Sequence, residues 1–323
     1  MSFFLSEDNL EKIHRLLISE IVDVPDFESA PRGKPIREII VCSFELTNPR
    51  NRIITSPARA ANYGFGVGEL CWYVRGDRDL ETMRYYNKRM TQFSDDGITI
   101  NSAYGNRIFK NRWGGSAGGM APVSQFDLVI EELKKDPDSR RAVMHINEPT
   151  DLLRAVEHGS KDVPCTMSLQ LLIRDRKLHM HVLMRSNDVV WGMPYDVFSF
   201  TSLQEAFLYG LQAAGVPVDD LGSYHHTAGS MHLYEPHYEM ARVVRGEDIP
   251  TPSPMKPFTL DGLKQLAEED EPMVRMEDWA DIWASPRPSY SDDSIGWMFS
   301  QLVEHKNKRI TEALNKEKND QQT

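Results

Sequence analysis

"CTMSLQLLIRDRKLHMHVLMRS", residues 165–186, holds two apolar runs separated by the polar tetrapeptide "RDRK". Runs of this length, rich in Leu, Ile, Val and Met and broken by one short polar segment, read as a β-hairpin with its turn near 174–177. Antiparallel pairing then brings Arg185 back beside Cys165. Further strand-like stretches surround the hairpin: "REIIVCSFELT" (37–47), "RRAVMHI" (140–146) and "SMHLYEP" (230–236). The sheet they imply is antiparallel-rich.

Helical periodicity fills much of the remainder. "DNLEKIHRLLISEIV" (8–22) carries apolar residues at helical spacing with acidic residues early. "ARAANYGFGVGELCWYVRG" (58–76) reads as a buried helix ending at Gly76, and "FDLVIEELKKDPDSR" (126–140) as a helix closed by Lys134, Lys135 and Pro137. "VFSFTSLQEAFLYGLQAAG" (197–215) is a long, mostly apolar helix stopped by Gly215 and Pro217. After residue 240 the composition shifts towards Pro, Asp and Glu, and the final "NKEKNDQQT" reads as a frayed polar end. The expected class is α+β, one domain over 1–323 with a large antiparallel-rich mixed sheet flanked by helices.

Lys+Arg number 37 against Asp+Glu 48, a net charge of -11, which argues against a nucleic-acid-coating surface. A few placed arginines still suffice to hold one phosphate. Cys42, Cys71 and Cys165 are too few and too scattered for a disulfide framework or a zinc site, and no metal is expected. No stretch approaches the ~20 apolar residues of a membrane helix, and the N-terminus lacks a basic segment followed by a long apolar one. A reducing, cytoplasmic setting is the expectation.

Three short stretches carry candidate chemistry. Cys165, after Pro164, is either a small buried hydrophobe or a nucleophile; Arg185, one hairpin away, supplies the cation a thiolate needs. Arg140 and Arg141 in "DPDSRR" are either a solvated pair or a rigid phosphate grip at a turn-to-strand junction. His232 and Tyr234, two apart on one strand face, are either core packing or donors to a sugar hydroxyl.

In order and separation, "DPDSRR", "VPC", "RSND", "WGMPYDVFSF" and "HTAGSMHLY" resemble thymidylate synthase and its pyrimidine-nucleotide hydroxymethylase relatives, as do "GELCWYVRGD" and "SAYGNRI" upstream. The resemblance covers roughly residues 60–240 and leaves 241–323 divergent. It implies that Cys165 attacks C6 of a pyrimidine nucleoside monophosphate, with Arg185 and Ser186 holding the phosphate and attending the cysteine. Arg140 and Arg141 would reach the phosphate bound by the other subunit, making a homodimer, paired through the sheet, with shared active sites. His232 and Tyr234 would bind the sugar. Glu69 corresponds to a water-organising glutamate and Tyr104 to a tyrosine near the reacting base. Asp188, Gly192 and Glu69 would meet the co-substrate 5,10-methylenetetrahydrofolate, and Arg32 in "APRGKP" would lie on a phosphate-covering loop.

Two departures shift the expected substrate and product. Asp196 stands where the uracil enzymes carry asparagine, whose amide accepts from N3–H and donates to O4. Cytosine inverts that pattern: one oxygen of a protonated carboxyl accepts from the N4 amino group and the other donates to N3. Against uracil an ionised Asp196 mispairs, at about 1–3 kcal/mol per buried group. Its bland role is to cap a helix beginning near Val197, a role compatible with the first. The second departure lies in "NKRMTQFSDDG" (87–97), which has no tryptophan where the methylating enzymes do, Thr91 or its neighbours standing there; the end "NDQQT" also lacks their apolar sealing tail. Open to water, such a site favours hydroxymethyl over methyl at C5. The expectation is a CMP or dCMP hydroxymethylase, the alternatives being a divergent thymidylate synthase, a uridylate hydroxymethylase or a silent nucleotide-binding relative.

Overall fold

A computed structural model describes residues 3–112, 122–275 and 294–320. The hairpin is present: β5 (Thr166–Arg174) pairs antiparallel with β6 (Lys177–Met184), and Arg174 faces Lys177. Its two-residue turn puts Asp175 and Arg176 at φ 49° and 57°, the doubly left-handed backbone that matches strand twist in tight hairpins. Chain order continues through β1 (Phe4–Glu7), β2 (Phe27–Ser29), β3 (Ile36–Leu46), β4 (Val143–His145), β7 (Asn187–Asp188) and β8 (Asp220–Tyr234).

These strands form one sheet in the order β1-β3-β8-β6-β5-β4, with β2 added to β3 and β7 to β8. β3–β8, β6–β5, β5–β4 and β2–β3 are antiparallel, while β1–β3, β6–β8 and β7–β8 are parallel. The sheet is thus mixed, as expected. The stretch 230–236 proves to be the end of a 15-residue strand, whereas 140–146 contributes only Val143–His145. The short motif around 230 could not reveal β8, because "DLGSYHHTAG" lacks a β-branched run and is held in the sheet by neighbours on both sides.

The helices are α1 (Leu10–Asp23), α2 (Tyr63–Arg75), α3 (Leu80–Tyr86), α4 (Gln125–Lys135), α5 (Pro149–His158), α6 (Met193–Ala213), α7 (Tyr238–Gly246), α8 (Leu260–Arg275) and α9 (Ser294–Asp320). Asn9 caps α1 by accepting from the Glu11 and Lys12 amides. α2 begins five residues later than the composition suggested, at an Asn62 cap, and ends at left-handed Gly76. α6 is buried on nearly every side, which is why its sequence shows almost no polar face. The polar C-terminal stretch falls in α9, which continues to Asp320; the last three residues lie outside those described.

Helix α6 also corrects the reading of Asp196. The helix starts at Met193 with Gly192 as its cap, so Asp196 lies within the first turn and caps nothing. Among the described residues, no helix is long and apolar enough to cross a membrane.

Candidate active site

The site gathers where β6 parts from β8. Pairing of these strands runs to Met184↔Ala228, and β7 resumes it at Asn187↔Met231 and Asp188↔His232. Arg185 and Ser186 occupy the gap. The Arg185 carbonyl comes so close to Gly229 that a Cβ there would sit 2.9 Å from it, so position 229 tolerates only glycine without a backbone shift. The hairpin register carries Arg185 back to Cys165: the Arg185 amide donates to the Cys165 carbonyl at 2.9 Å.

The Arg185 guanidinium clasps the loop that presents the cysteine. Nε donates to the Pro164 carbonyl (2.9 Å) and Nη2 to the Val163 carbonyl (3.0 Å), and Nη2 lies 3.7 Å from Cys165 Sγ. Burial raises the Cys165 thiol pKa; Arg185 is the chief force pulling it down, with Arg32 adding to that pull and Asp196 opposing it. Arg32 itself is exposed, at φ 54° in the 3-10 turn Pro31–Gly33 ahead of β3. The hairpin thus returns Arg185 to Cys165 as its register implied, and Arg32 lies close enough to act on the thiol.

Tyr104 stands on the other side of the cysteine. Its hydroxyl accepts from the Cys165 and Thr166 amides at 3.3 and 3.4 Å, and its ring stacks on Phe200 at 6.2 Å. Tyr73, 5.6 Å from Tyr104 between ring centres, is hydrogen-bonded to Glu69. Glu69 is half-buried on α2; burial and the nearby Asp196 carboxylate push its pKa up to about 8. Burial likewise raises Asp196 to about 7, against a downward pull from Asn187. Two mutually interacting carboxyl groups thus hold protons near neutral pH, and one of them, Asp196, acts on the cysteine.

Asp188 Oδ1 accepts from the Val190 and Trp191 amides at 2.8 and 3.1 Å, which fixes the carboxylate ahead of the Gly192 turn. Gly192 has a steric reason to be glycine: a Cβ would fall 2.8 Å from Asn187 Nδ2 and 3.2 Å from Asp196 Oδ2. Ser186 Oγ lies 3.5 Å from His232 Nδ1, and His232 meets the Tyr234 ring edge-on at 5.0 Å. These two side chains do share one strand face.

Arg140 and Arg141 are not brought to this cluster. β4 pairs His145 with Ser168 and Val143 with Gln170, so Arg141 continues towards Leu172, about 20 Å along the strand from Cys165. Arg141 pairs with Glu132 at 2.8 Å and its side chain is 78% exposed. Within one chain these arginines cannot hold the nucleotide that Cys165 would attack.

The thymidylate synthase family model matches residues 17–259. The chain belongs to the thymidylate synthase family. It is 34% identical over 261 residues to the deoxyuridylate hydroxymethyltransferase of Bacillus phage SP01, covering 74% of this chain and 66% of that one. The corresponding protein of Delftia phage PhiW-14 is 33% identical over 225 residues, covering 67% of this chain and 58% of its own length. The thymidylate synthase of Corynebacterium aurimucosum is 28% identical over 177 residues, 54% of this chain and 60% of that one. In fold the chain is similar to thermostable thymidylate synthase A from Bacillus subtilis, with a TM-score of 0.62 and 22% identity over 80% of this chain and 91% of that one.

Several residues of this thymidylate synthase-family site escaped the sequence reading. Asn187 donates from Nδ2 to Asp196 Oδ2 at 2.7 Å. Tyr73 bridges Glu69 and Tyr104. Trp191 donates to His237 at 2.8 Å and carries the Arg59 and Arg89 guanidinium groups over its ring, at 5.0 and 4.6 Å. Arg89 belongs to the 87–97 segment that lacks tryptophan. Only Asn187 was signalled, by its place inside "RSND"; the others meet through tertiary packing.

Proposed function

We propose that this protein is a cytidylate C5-hydroxymethylase that takes a one-carbon unit from methylenetetrahydrofolate and completes its product with water. The observation that carries this reading is Asp196, a carboxyl held at 2.7 Å by the Asn187 amide and close enough to Cys165 to act on its thiol, with its pKa raised by burial to about 7. A carboxyl that keeps its proton offers a donor and an acceptor side by side, which complements N3 and N4 of cytosine. The hydroxymethyltransferase relatives support the product; the substrate in their name, deoxyuridylate, favours the second reading, a uridylate hydroxymethylase.

The donor set suits a reduced folate. Asp188, with one oxygen pinned by two amides, leaves the other to accept from ring N–H groups, and Gly192 keeps the approach open. The folate supplies a one-carbon unit at the oxidation level of formaldehyde. The chain's own residues do the rest. Arg185 and Arg32 favour the Cys165 thiolate, which adds to C6 of the base. Negative charge spreads towards N3, where Asp196 delivers its proton. C5 then bonds to the one-carbon unit and loses its proton, for which Tyr104 is the neighbouring relay. Loss of the folate amine leaves an exocyclic methylene on C5. Glu69, protonated at first, gives its proton to the departing amine and then, ionised, orients a water against the C5 methylene and takes that water's proton; the hydroxymethyl group forms, and Cys165 departs from C6 as Asp196 recovers its proton from N3. The exposed 3-10 segment Lys88–Phe93 carries no tryptophan to help exclude that water.

The phosphate of the nucleotide falls to Arg185 and Ser186, with Arg32 above it and Arg140 and Arg141 arriving from a second copy of the chain. His232 and Tyr234 bind the sugar. Turnover in ¹⁸O-water tests the scheme: the account expects ¹⁸O in a 5-hydroxymethylcytidylate and no dihydrofolate. A methyl product with dihydrofolate would make the enzyme a synthase; a labelled hydroxymethyl group on uridylate alone would favour the second reading.

A further inference from the structure

We infer that Asn187 is the residue that sets the specificity of Asp196, holding its carboxyl in the one hydrogen-bonding arrangement that reads cytosine. This rests on the cytidylate reading above and deepens it. Asn187 is 3% exposed, on the short strand β7 beside β8, and its Nδ2 meets Asp196 Oδ2 at 2.7 Å. The same oxygen faces the Gly192 turn, where any Cβ would strike both partners. The Asn187 amide and the Gly192 turn thus converge on a single carboxylate oxygen.

The consequence is a choice between two otherwise equivalent oxygens. An oxygen that accepts from an amide N–H is favoured as the carbonyl of a carboxylic acid, so the acid proton resides on Oδ1. Oδ2 keeps a second lone pair to accept from the N4 amino group, while Oδ1–H donates to N3. Uracil needs the reverse at both atoms, and the Asn187 donor blocks the exchange of roles that would accommodate it. A free aspartic acid has no such preference and would rotate or tautomerise to meet either base. Asn187 Oδ1 is itself buried with no hydrogen-bond partner. Its unmet acceptor marks a side chain held for what its Nδ2 does, since an unsatisfied buried acceptor weakens rather than strengthens a fold.

Asn187 acts through Asp196 and is therefore a positioning residue. Glu69 and Tyr73 on α2, Tyr104, Cys165, Asp188 on β7 and Tyr224 on β8 also interact electrostatically with Asp196, so the test compares variants in which only position 187 changes. C5-tritium release from CMP, dCMP, UMP and dUMP is measured across pH for the wild type and for Asn187→Leu, which is near-isosteric and has no donor. The expected result is a fall of ten-fold or more in kcat/KM for the cytosine nucleotides, a smaller change for uracil, and an alkaline limb moved to higher pH because the carboxylate has lost a donor. Should the Leu variant fail to fold, Asn187→Ser, its hydroxyl one bond short of Asp196, is expected to give the same loss and the same shift. A folded variant that keeps both the cytosine preference and the wild-type pH limb overturns the inference while leaving the cytidylate reading intact. A wild type that prefers uridylate overturns the reading and the inference together.

Discussion

Glu69 and Asp196 keep their protons to about pH 8 and 7 in the folded chain, whereas free carboxyls release theirs near pH 4. Between those limits the folded state binds more protons than the unfolded state, so stability falls as pH rises from about 4 towards 8. Glu69→Gln removes that group's share. The variant is expected to exceed the wild type in stability at pH 8 by an amount on the order of a few kcal/mol, and to match it below pH 4, as measured by denaturant midpoints. Gly192 makes a second prediction at this scale. Gly192→Ala forces apart Asn187 and Asp196, and turnover is expected to drop at least ten-fold while Cys165 remains reactive to an alkylating reagent. The meeting of Cys165 and Arg185 was open to the sequence, because a hairpin register is a local signal, as was the carboxyl of Asp196 at a position where the uracil enzymes carry asparagine. The contacts of Tyr73 with Tyr104 and of Trp191 with His237 were not, because these partners lie on other elements.

At the scale of elements, α8 and α9 complete the packing around α2. Asp270 on α8 is fully buried, accepts from the Tyr86 hydroxyl on α3, and pairs with Arg75 at the end of α2 at 2.9 Å. Trp297 on α9 meets Tyr63 edge-on at 5.5 Å, and Gly64 sits so near α9 that a Cβ there would lie 2.5 Å from His305 Cβ. Removing one member of a buried ion pair strands the other, so Asp270→Ala is expected to destabilise the protein by about 3–5 kcal/mol, visible as a lowered denaturation midpoint. Asp270 lies in a composition-shifted region whose sequence offered little. Its apolar period, Leu260, Leu263, Leu266 and Ala267, was masked by the Pro- and acid-rich composition around it, and its packing partners lie on α2 and α3. The helix starts were displaced for similar reasons: Asn62 and Gly192, not the first apolar residue, set where α2 and α6 begin.

For the whole molecule, the sheet separates the two arginine groups by a strand length, and the account joins them again only across a dimer. Mixing is the test. Cys165→Ser and Arg140→Ala/Arg141→Ala chains are each expected to be inactive alone. Unfolded and refolded together, they are expected to regain about a quarter of wild-type activity, because half of the random dimers carry one intact site. No recovery would show that each chain works with its own arginines, and the placement of those residues would need another explanation.

The most direct test of the central claim is C5-tritium release from cytidylate and uridylate by the wild type and by Asp196→Asn, with each product identified by mass. The account predicts that the wild type turns over cytidylate to its 5-hydroxymethyl derivative, and that the amide variant loses this activity while gaining activity on uridylate. A wild type that releases tritium from uridylate, or an Asp196→Asn variant with full activity on cytidylate, would contradict it.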